Sequence, residues 1–559
     1  MLSSAAARRG HFNSAKHSYR SVVLRRELLR KLVATCVFLL ALAPSAYLAF
    51  TLRSMPHLGF YHDDGIYWTC AKSLAQGSGY RISSLPGEPY QTKYPPLYPA
   101  LLAGIWKLNP DFPSNLPAAT LLAWLLLPVY LLAVWLFLRQ SGFRGTRELV
   151  LILAATLSPV AVVFSFSLMP ELLFTALLLV SLLLAERALE PGTSRWLPVL
   201  AGVCGALAYL TKSAAAPLLL TVPACFLWRR QIRAATLFLA AMLPAPLAWQ
   251  WWVSEHLSRS WDLVTLYYTN YLGFQIYNVP WRDLPLVVWH NFDTYLMGIG
   301  KLLTFDVPYG SFHLERVAAV AAIAGAVRLA RRTRQCQYPL AALGMSALLL
   351  VWHYTPDQRF VFPLYPLLLA GLWTELENVG RMLRASWHKP ARADRAAALA
   401  GAGLLAAFAA FVVFTTAFGL FRFLPSLFEA YRADLAARRP AYAWIAANTP
   451  SGASVYAYDD PLLYLYTGRK SVGLPIPPKL QYHDDQAGID QLVESIPDFA
   501  NRYGLGYALV TPGDFYRDLH ERGARREHDA VRAARPVFNS QGASVYEFRT
   551  SAGTPASAR

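Results

Sequence analysis

Long apolar runs recur along most of this sequence, and they restrict its fold more than any other feature. The chain has 559 residues, 55% of them are hydrophobic, and the apolar residues lie in separate blocks. An apolar block of about 20 residues is long enough to cross a bilayer as an α-helix. We therefore predict a mainly α-helical polytopic membrane protein with about 11 transmembrane helices. The predicted spans cover residues 32–52, 116–138, 148–164, 169–184, 196–210, 214–228, 234–253, 317–329, 338–351, 360–373 and 397–421.

The distribution of Lys and Arg residues predicts how the chain crosses the membrane. Segment 1–31 carries eight of these basic residues and a single acid, Glu27, and further basic clusters follow every second predicted span. Basic residues are retained on the cytoplasmic side of membrane proteins. We therefore predict a multi-pass protein of the inner (plasma) membrane with a cytoplasmic N-terminal segment. This orientation explains the net charge of +18, so no nucleic-acid partner is expected.

The sequence pattern changes after the last apolar run. Short stretches with strand-like alternation are separated there by amphipathic, helix-like stretches, which predicts a small α/β domain on the outer face. The strands are expected near residues 453–458, 470–474, 506–511 and 542–548. The predicted units are the basic segment 1–31, a transmembrane domain over 32–425, the extracytoplasmic domain over 436–550 and a disordered tail over 551–559.

The first predicted outer loop, residues 53–115, is long, polar and close to the first apolar run. It contains two adjacent carboxylates, Asp63 and Asp64, then a helix-like stretch, a glycine break and the segment Lys93-Tyr94-Pro95-Pro96-Leu97. One interpretation of the acidic pair is a helix N-cap, which complements the helix dipole. The other is a general base that takes a proton from a hydroxyl group. The two interpretations are compatible, because a cap holds its carboxylate rigidly.

This combination of an acidic pair, a helix rich in Tyr and Ala, a glycine and a Lys-x-Pro-Pro-Leu element resembles the GT-C glycosyltransferases. These include the protein O-mannosyltransferases and the aminoarabinose transferases of lipid A. Family members usually show Asp-Glu and Lys-Pro-Pro in this loop, whereas this chain has Asp63-Asp64 and inserts Tyr94. The resemblance implies the GT-C fold. It also implies an enzyme that moves a sugar, with inversion, from a polyprenyl-phosphate donor to an extracytoplasmic acceptor hydroxyl.

The resemblance also implies roles for individual residues. Asp63 is expected as the base and Asp64 as its support or as a contact to the acceptor. Lys93 and Arg359 are expected to bind the donor phosphate. The simpler interpretation of Lys93 is a lysine at the membrane interface, and that of Arg359 is an ion-pair partner of Asp357. The other expected substrate contacts are Glu171, Tyr94 and His353. The alternative for Glu171 is a carboxylate at a helix start, and the alternative for the two aromatic residues is the aromatic belt at the membrane interface.

Several points stay open at the level of sequence. The expected partners are the lipid donor, membrane lipids and an acceptor that is a protein, a lipid or a polysaccharide. Some family members use a divalent metal, and the acidic pair alone does not establish one here. The five cysteines show no spacing typical of a zinc site, and we expect no disulfide framework. The alternatives to an enzyme are a transporter or flippase of lipid-linked sugars and a non-catalytic membrane assembly protein.

The predicted orientation can be tested by thiol labelling. In a variant with the five native cysteines replaced by serine, Asp484→Cys should react with a membrane-impermeant thiol reagent in intact cells whose outer barrier is opened. Arg392→Cys is the matched control and should react only after the inner membrane is lysed. Labelling of Asp484→Cys only after lysis would place the C-terminal region inside.

Overall fold

The computed structural model describes residues 32, 33, 35–305 and 314–548, and most of them are helical. The predictions for segment 1–31 and for the tail 551–559 lie outside the described residues. In chain order the first helices are α1 (Thr35–Thr51), α2 (Asp63–Ala75), α3 (Leu97–Leu108), α4 (Leu116–Gln140), α5 (Thr146–Thr156), α6 (Pro159–Phe164), α7 (Glu171–Arg187), α8 (Trp196–Thr211), α9 (Leu218–Trp228), α10 (Ile232–Met242), α11 (Pro244–His256), α12 (Leu263–Tyr268), α13 (Tyr271–Asn278), α14 (Leu284–Thr304), α15 (Leu314–Thr333), α16 (Gln337–Leu350), α17 (Gln358–Val361), α18 (Tyr365–Trp387) and α19 (Arg392–Phe418).

Helices occupy the predicted spans, but their lengths vary. Among the described residues, three helical stretches are long and apolar enough to cross a membrane. They are Leu116–Gln140 (α4), Ile232–His256 (α10 and α11) and Arg392–Asn448 (α19 and the next helix along the chain). The predicted span 148–164 is divided into α5 and α6 at Ser158. The reason is the following proline, which disfavours the helical conformation of the residue before it, and Ser158 has a ψ of 118°.

The stretch 254–314 contains none of the predicted spans, yet most of its described residues are helical. It contains the helices α12, α13 and α14. The apolar side chains of α14 that face the protein interior include Val287, Ile299 and Leu302, and all three are buried. The many aromatic residues between them obscure this helical periodicity in the sequence.

The C-terminal region forms a five-stranded mixed sheet in the order β2-β1-β3-β5-β4. Strand β1 pairs in parallel with β2 and β3, whereas β5 is antiparallel to β3 and β4. The sequence missed the edge strand β4, because its proline and polar ends interrupt strand-like alternation. The elements are α20 (Leu424–Asn448), β1 (Ser454–Ala457), α21 (Asp460–Thr467), β2 (Lys470–Val472), α22 (Pro478–Tyr482), α23 (Gln486–Glu494), α24 (Ile496–Arg502), β3 (Tyr507–Val510), α25 (Tyr516–Leu519), α26 (Gly523–Val531), β4 (Arg535–Asn539) and β5 (Ser544–Glu547).

The sheet region packs against the first predicted outer loop. The ammonium of Lys470 lies 2.5 Å from a carboxylate oxygen of Glu88, and the amide of Ser471 donates to the carbonyl of Ser84. A Cβ atom at Gly65 in α2 would lie 2.8 Å from Cβ of Pro461 in α21. These contacts bring the C-terminal region to the acidic pair at the start of α2.

Close helix packing depends on small residues, as membrane helices commonly require. Gly202 of α8 lies so close to α10 that a Cβ atom would be 2.5 Å from the carbonyl oxygen of Phe238. Cys225 and Cys336 are joined by a disulfide, which the expectation of no disulfide framework did not foresee. Their sequence separation of 111 residues gives no local signal for this pairing.

Two glycines of helix α18 provide a matched test of this packing. A Cβ atom at Gly371 would lie 2.3 Å from the carbonyl oxygen of Ala322 in α15, whereas one at Gly380 would meet no atom within 4 Å. We expect Gly371→Ala to destabilise the protein by about 1–3 kcal/mol, because α15 and α18 must separate. Gly380→Ala should be neutral or stabilising by up to about 1 kcal/mol, because alanine favours the helix. Equal thermal unfolding midpoints of the two variants in detergent would contradict this account.

Candidate functional site

A cavity of about 740 Å³ lies where the first outer loop, the α12 region and the C-terminal region meet. Its walls come from the start of α2, the segment after Thr92, the turn before α17, helix α20 and the loops that follow β1 and β2. Four of the sequence-predicted site residues line it: Asp63, Lys93, Tyr94 and Arg359. The structure thus brings together residues that are up to 296 positions apart in the chain.

Asp63 is the first residue of α2, and its carboxylate is held between two donors. The hydroxyl of Tyr94 donates to Oδ1, and the guanidinium of Arg359 donates to Oδ2. Burial by itself would raise the pKa of Asp63. The nearby charges of Arg359 and Lys93 and the hydrogen bond from Tyr94 outweigh burial and hold the pKa well below its usual range. Asp63 is therefore ionised and oriented.

Arg359 also contacts a second carboxylate, which does not line the cavity. Its Nε donates to Oε1 of Glu171 at 2.8 Å, and the ammonium of Lys212 lies 3.0 Å from the same oxygen. Glu171 is fully buried behind the cavity wall. Its predicted substrate contact is therefore indirect in this structure, because its carboxylate supports two cations that do face the cavity.

Lys93 lies beside this chain of ion pairs. Its ammonium donates to the carbonyl oxygen of Tyr267 at 3.0 Å and lies 4.5 Å from the centre of the same tyrosine ring. Burial lowers the pKa of Lys93 to about 8, against the opposing effect of Asp63. Together with the previous contacts, three cations (Lys93, Lys212 and Arg359) face two carboxylates (Asp63 and Glu171). Asp357 also lines the cavity, and its carboxylate accepts a hydrogen bond from the backbone amide of Arg359, so the three cations have three carboxylates as neighbours. Lys93, Lys212 and Arg359 are the groups of this cluster that can contact an anionic ligand.

Asp64 has a different environment from its neighbour. It is 1% exposed, and its oxygens accept hydrogen bonds from the backbone amides of Gly65 at 2.9 Å and Gly59 at 3.1 Å. Burial raises the pKa of Asp64 to about 7, with a smaller contribution from the charge of Asp63. Asp64 does not line the cavity, so it ties down the loop before α2 and does not reach a ligand there.

His353 also lies away from the cavity. It is fully buried, and its Nδ1 lies 2.6 Å from the side-chain oxygen of Gln275. Its ring packs among aromatic neighbours such as Phe274. The structure therefore gives His353 a packing position, whereas Tyr94 reaches the cavity and contacts Asp63.

Two groups of cavity residues were not among the sequence-predicted sites. Lys212 faces the cavity and pairs with Glu171. Its position between a helix and a 3-10 turn was only a weak indication of a role in the site. Arg438 and Asp459 also line the cavity and form an ion pair of 2.6 Å, and only the packing of α20 against the sheet region brings them there.

The acidic pair does not fit a divalent metal. Both oxygens of Asp63 already accept hydrogen bonds, and one of the donors is a guanidinium cation. The oxygens of Asp64 point to backbone amides. Within the described part of the chain, no group of three or more His, Cys, Asp or Glu side chains is arranged to hold a metal ion.

The sequence matches a family of sugar-transferring enzymes over part of its length. Residues 93–252 match the family described as dolichyl-phosphate-mannose-protein mannosyltransferase. The matched segment includes Lys93, Glu171 and Lys212, whereas Asp63 and Arg359 lie outside it. No curated protein matches the chain at a significant level.

Solved structures of two membrane glycosylation proteins are similar to this one. The archaeal oligosaccharyltransferase AglB from Archaeoglobus fulgidus, in complex with an inhibitory peptide and a dolichol-phosphate, matches with a TM-score of 0.52 at 13% identity. That match covers 93% of this chain and 75% of AglB. ArnT from Cupriavidus metallidurans bound to undecaprenyl phosphate matches with a TM-score of 0.46 at 15% identity, over 91% of this chain and 98% of ArnT. The family match and the fold shared with AglB confirm the resemblance to GT-C membrane glycosyltransferases.

Proposed function

We propose that the protein transfers a sugar from a polyprenyl-phosphate donor to a hydroxyl group of an extracytoplasmic acceptor. The observation that carries this proposal is the cavity itself, where the ionised carboxylate of Asp63 lies beside the cations Arg359 and Lys93. A carboxylate next to a phosphate-binding group is the minimum that this reaction requires. The matched mannosyltransferase family and the dolichol-phosphate bound by AglB support a lipid-phosphate donor.

The proposed donor site is the cationic part of the cavity. The phosphate of the donor would contact Lys93 and Arg359, while Lys212 lies behind Arg359 on the shared partner Glu171. Charge-assisted hydrogen bonds to phosphate are the strongest class available to these side chains. The aromatic rings at this end, including Tyr267 and Tyr271, would pack against the sugar or the first isoprene units.

The proposed reaction is a single displacement with inversion. The acceptor oxygen forms a bond to the anomeric carbon as the bond from that carbon to the phosphate oxygen breaks. The electron pair of the broken bond leaves with the polyprenyl phosphate, where Lys93 and Arg359 stabilise the charge. The acceptor proton passes to Asp63. Because the donor phosphate shares the positive charge that holds the pKa of Asp63 low, donor binding would make Asp63 a stronger base.

The sequence-based orientation belongs to this proposal. The cavity would open on the outer face of the inner (plasma) membrane, and the region 436–550 would form its outer wall as an α/β domain. The membrane provides the lipid donor from the side, and the acceptor enters from the outer aqueous side. Mass analysis of envelope glycans and glycoproteins from cells with and without the protein would identify the sugar and the acceptor.

Substitution of the acidic pair tests the proposed chemistry. Asp63→Asn keeps the shape of the side chain but removes its charge, so turnover should fall by about 10²–10⁴-fold. The assay follows radiolabelled sugar from polyprenyl-phosphate mannose into acceptors of native membranes. Asp64→Asn is the matched control and should have a milder effect, because Asp64 does not line the cavity. Normal turnover of both folded variants would refute the role of Asp63 as the base, whereas no transfer by the wild-type protein would refute the enzyme proposal.

The pH dependence tests the proposed phosphate contact. The pKa of Lys93 is about 8, so this side chain is cationic below that pH and becomes neutral above it. Affinity of the purified protein for polyprenyl phosphate, measured by titration, should therefore fall as the pH rises through about 8. Lys93→Arg should remove this decline, because arginine stays charged, and Lys93→Ala should bind weakly at every pH. An unchanged pH profile in Lys93→Arg would exclude Lys93 from the phosphate site.

A further inference from the structure

The backbone immediately before Asp63 has an uncommon conformation. His62 has a φ of 59° and a ψ of −47°, and the amide of Asp63 donates to the carbonyl oxygen of Tyr61 at 2.6 Å. These are the features of a γ-turn with positive φ, which is rare and strained for a residue with a side chain. His62 is also the N-cap position of α2, and it makes no side-chain capping hydrogen bond to the helix. Local sequence preferences therefore do not explain this turn.

The side chain of His62 is held by residues that are distant in sequence. Its Nε2 lies 2.8 Å from Oδ1 of Asp460, which is 398 positions further along the chain. Its Nδ1 lies 3.2 Å from the hydroxyl of Tyr267. Asp460 is fully buried, and its Oδ1 also accepts a hydrogen bond of 2.6 Å from Tyr268. A strained turn persists only where its surroundings hold it, and these contacts provide that restraint.

Asp460 itself is fixed by the sheet region. It is the first residue of α21, and the hydroxyl of Ser471 in β2 donates to its carbonyl oxygen at 2.6 Å. The next residue, Pro461, packs against Gly65 of α2. Asp460 therefore has a defined position relative to the start of α2.

We infer that Asp460 is a positioning residue, which acts through His62 to hold the turn that directs the carboxylate of Asp63 toward Arg359 and Tyr94. This inference rests on the proposed role of Asp63. It assigns the C-terminal region a part in the reaction, because that region then holds the base in its reactive orientation. A misplacement of a reacting group by about 1 Å is enough to reduce a rate by about 10²-fold.

The first test uses Asp460→Asn in the full-length protein. It should lower kcat for transfer from polyprenyl-phosphate mannose by about 10-fold to 100-fold, because Asp63 loses its orientation. Affinity for unglycosylated polyprenyl phosphate should be unchanged, because Lys93 remains in place and Arg359 is still held by Glu171. A kcat equal to that of the wild type in a folded Asp460→Asn protein would overturn the inference.

The second test distinguishes the turn from a general packing effect. Glycine adopts positive φ without a steric penalty, whereas alanine does not. We therefore expect His62→Gly to retain more turnover than His62→Ala, although both lose the contact with Asp460. Adding Asp460→Asn to His62→Gly should have little further effect, because the connection is already absent. Higher turnover in His62→Ala, or independent effects of the two substitutions, would overturn the inference even if Asp460→Asn alone fails to fold.

Two controls separate this role from docking of the C-terminal region. Glu88→Gln removes the ion pair with Lys470 that joins the same two regions, and Asp283→Asn removes another His–Asp pair, with His483, at 3.0 Å. Both variants should keep wild-type turnover. If Asp63→Asn is inactive while Asp460→Asn is fully active, only this inference fails. If Asp63→Asn keeps its activity, the proposed role of Asp63 as the base fails as well, and if the wild-type protein transfers no sugar, the proposed function fails.

Discussion

The ion pair between Asp63 and Arg359 is the interaction on which the rest of the site depends. It joins the start of α2 to the short helix α17, and through Glu171 it continues to the start of α7. Removing one partner of such a buried pair leaves an uncompensated charge, which is strongly unfavourable. The positions of three separate segments are therefore coupled by electrostatics at one wall of the cavity. The same contact lowers the pKa of Asp63 and keeps its carboxylate ionised, so one ion pair both joins these segments and sets the charge of Asp63.

The C-terminal region is part of this site rather than an appendage to it. Helix α20 continues from the apolar helix α19 through a short π-helical segment, so the chain enters the sheet region without a flexible connection. Its Arg438 and Asp459 then line the same cavity as Lys93, Lys212 and Arg359. The C-terminal region thus supplies charged side chains to the cavity as well as contacts with the loop before α2.

Several local features could be predicted from the sequence. Apolar runs indicated where most helices lie, because burial in a bilayer or a core requires continuous apolar surface over successive turns. Alternation of apolar and polar residues indicated four of the five strands. Asp63, Lys93 and Tyr94 lie in one polar loop between apolar runs, and the resemblance of that loop to GT-C glycosyltransferases implied their place in the site. The helices of the stretch 254–314 were missed, because their buried faces are short and interrupted by aromatic residues.

The sequence by itself therefore determined the helical, membrane-type architecture and the loop that carries the acidic pair, since both depend on patterns within a few turns of chain. Only the tertiary structure decided which carboxylate faces the cavity, because the rotation of α2 turns Asp63 inward and leaves Asp64 on backbone amides. It also decided the partners Arg359 and Asp460, which lie 296 and 398 positions from the residues that they contact. Ion pairs of this kind depend on how distant elements pack, and no local periodicity encodes that packing.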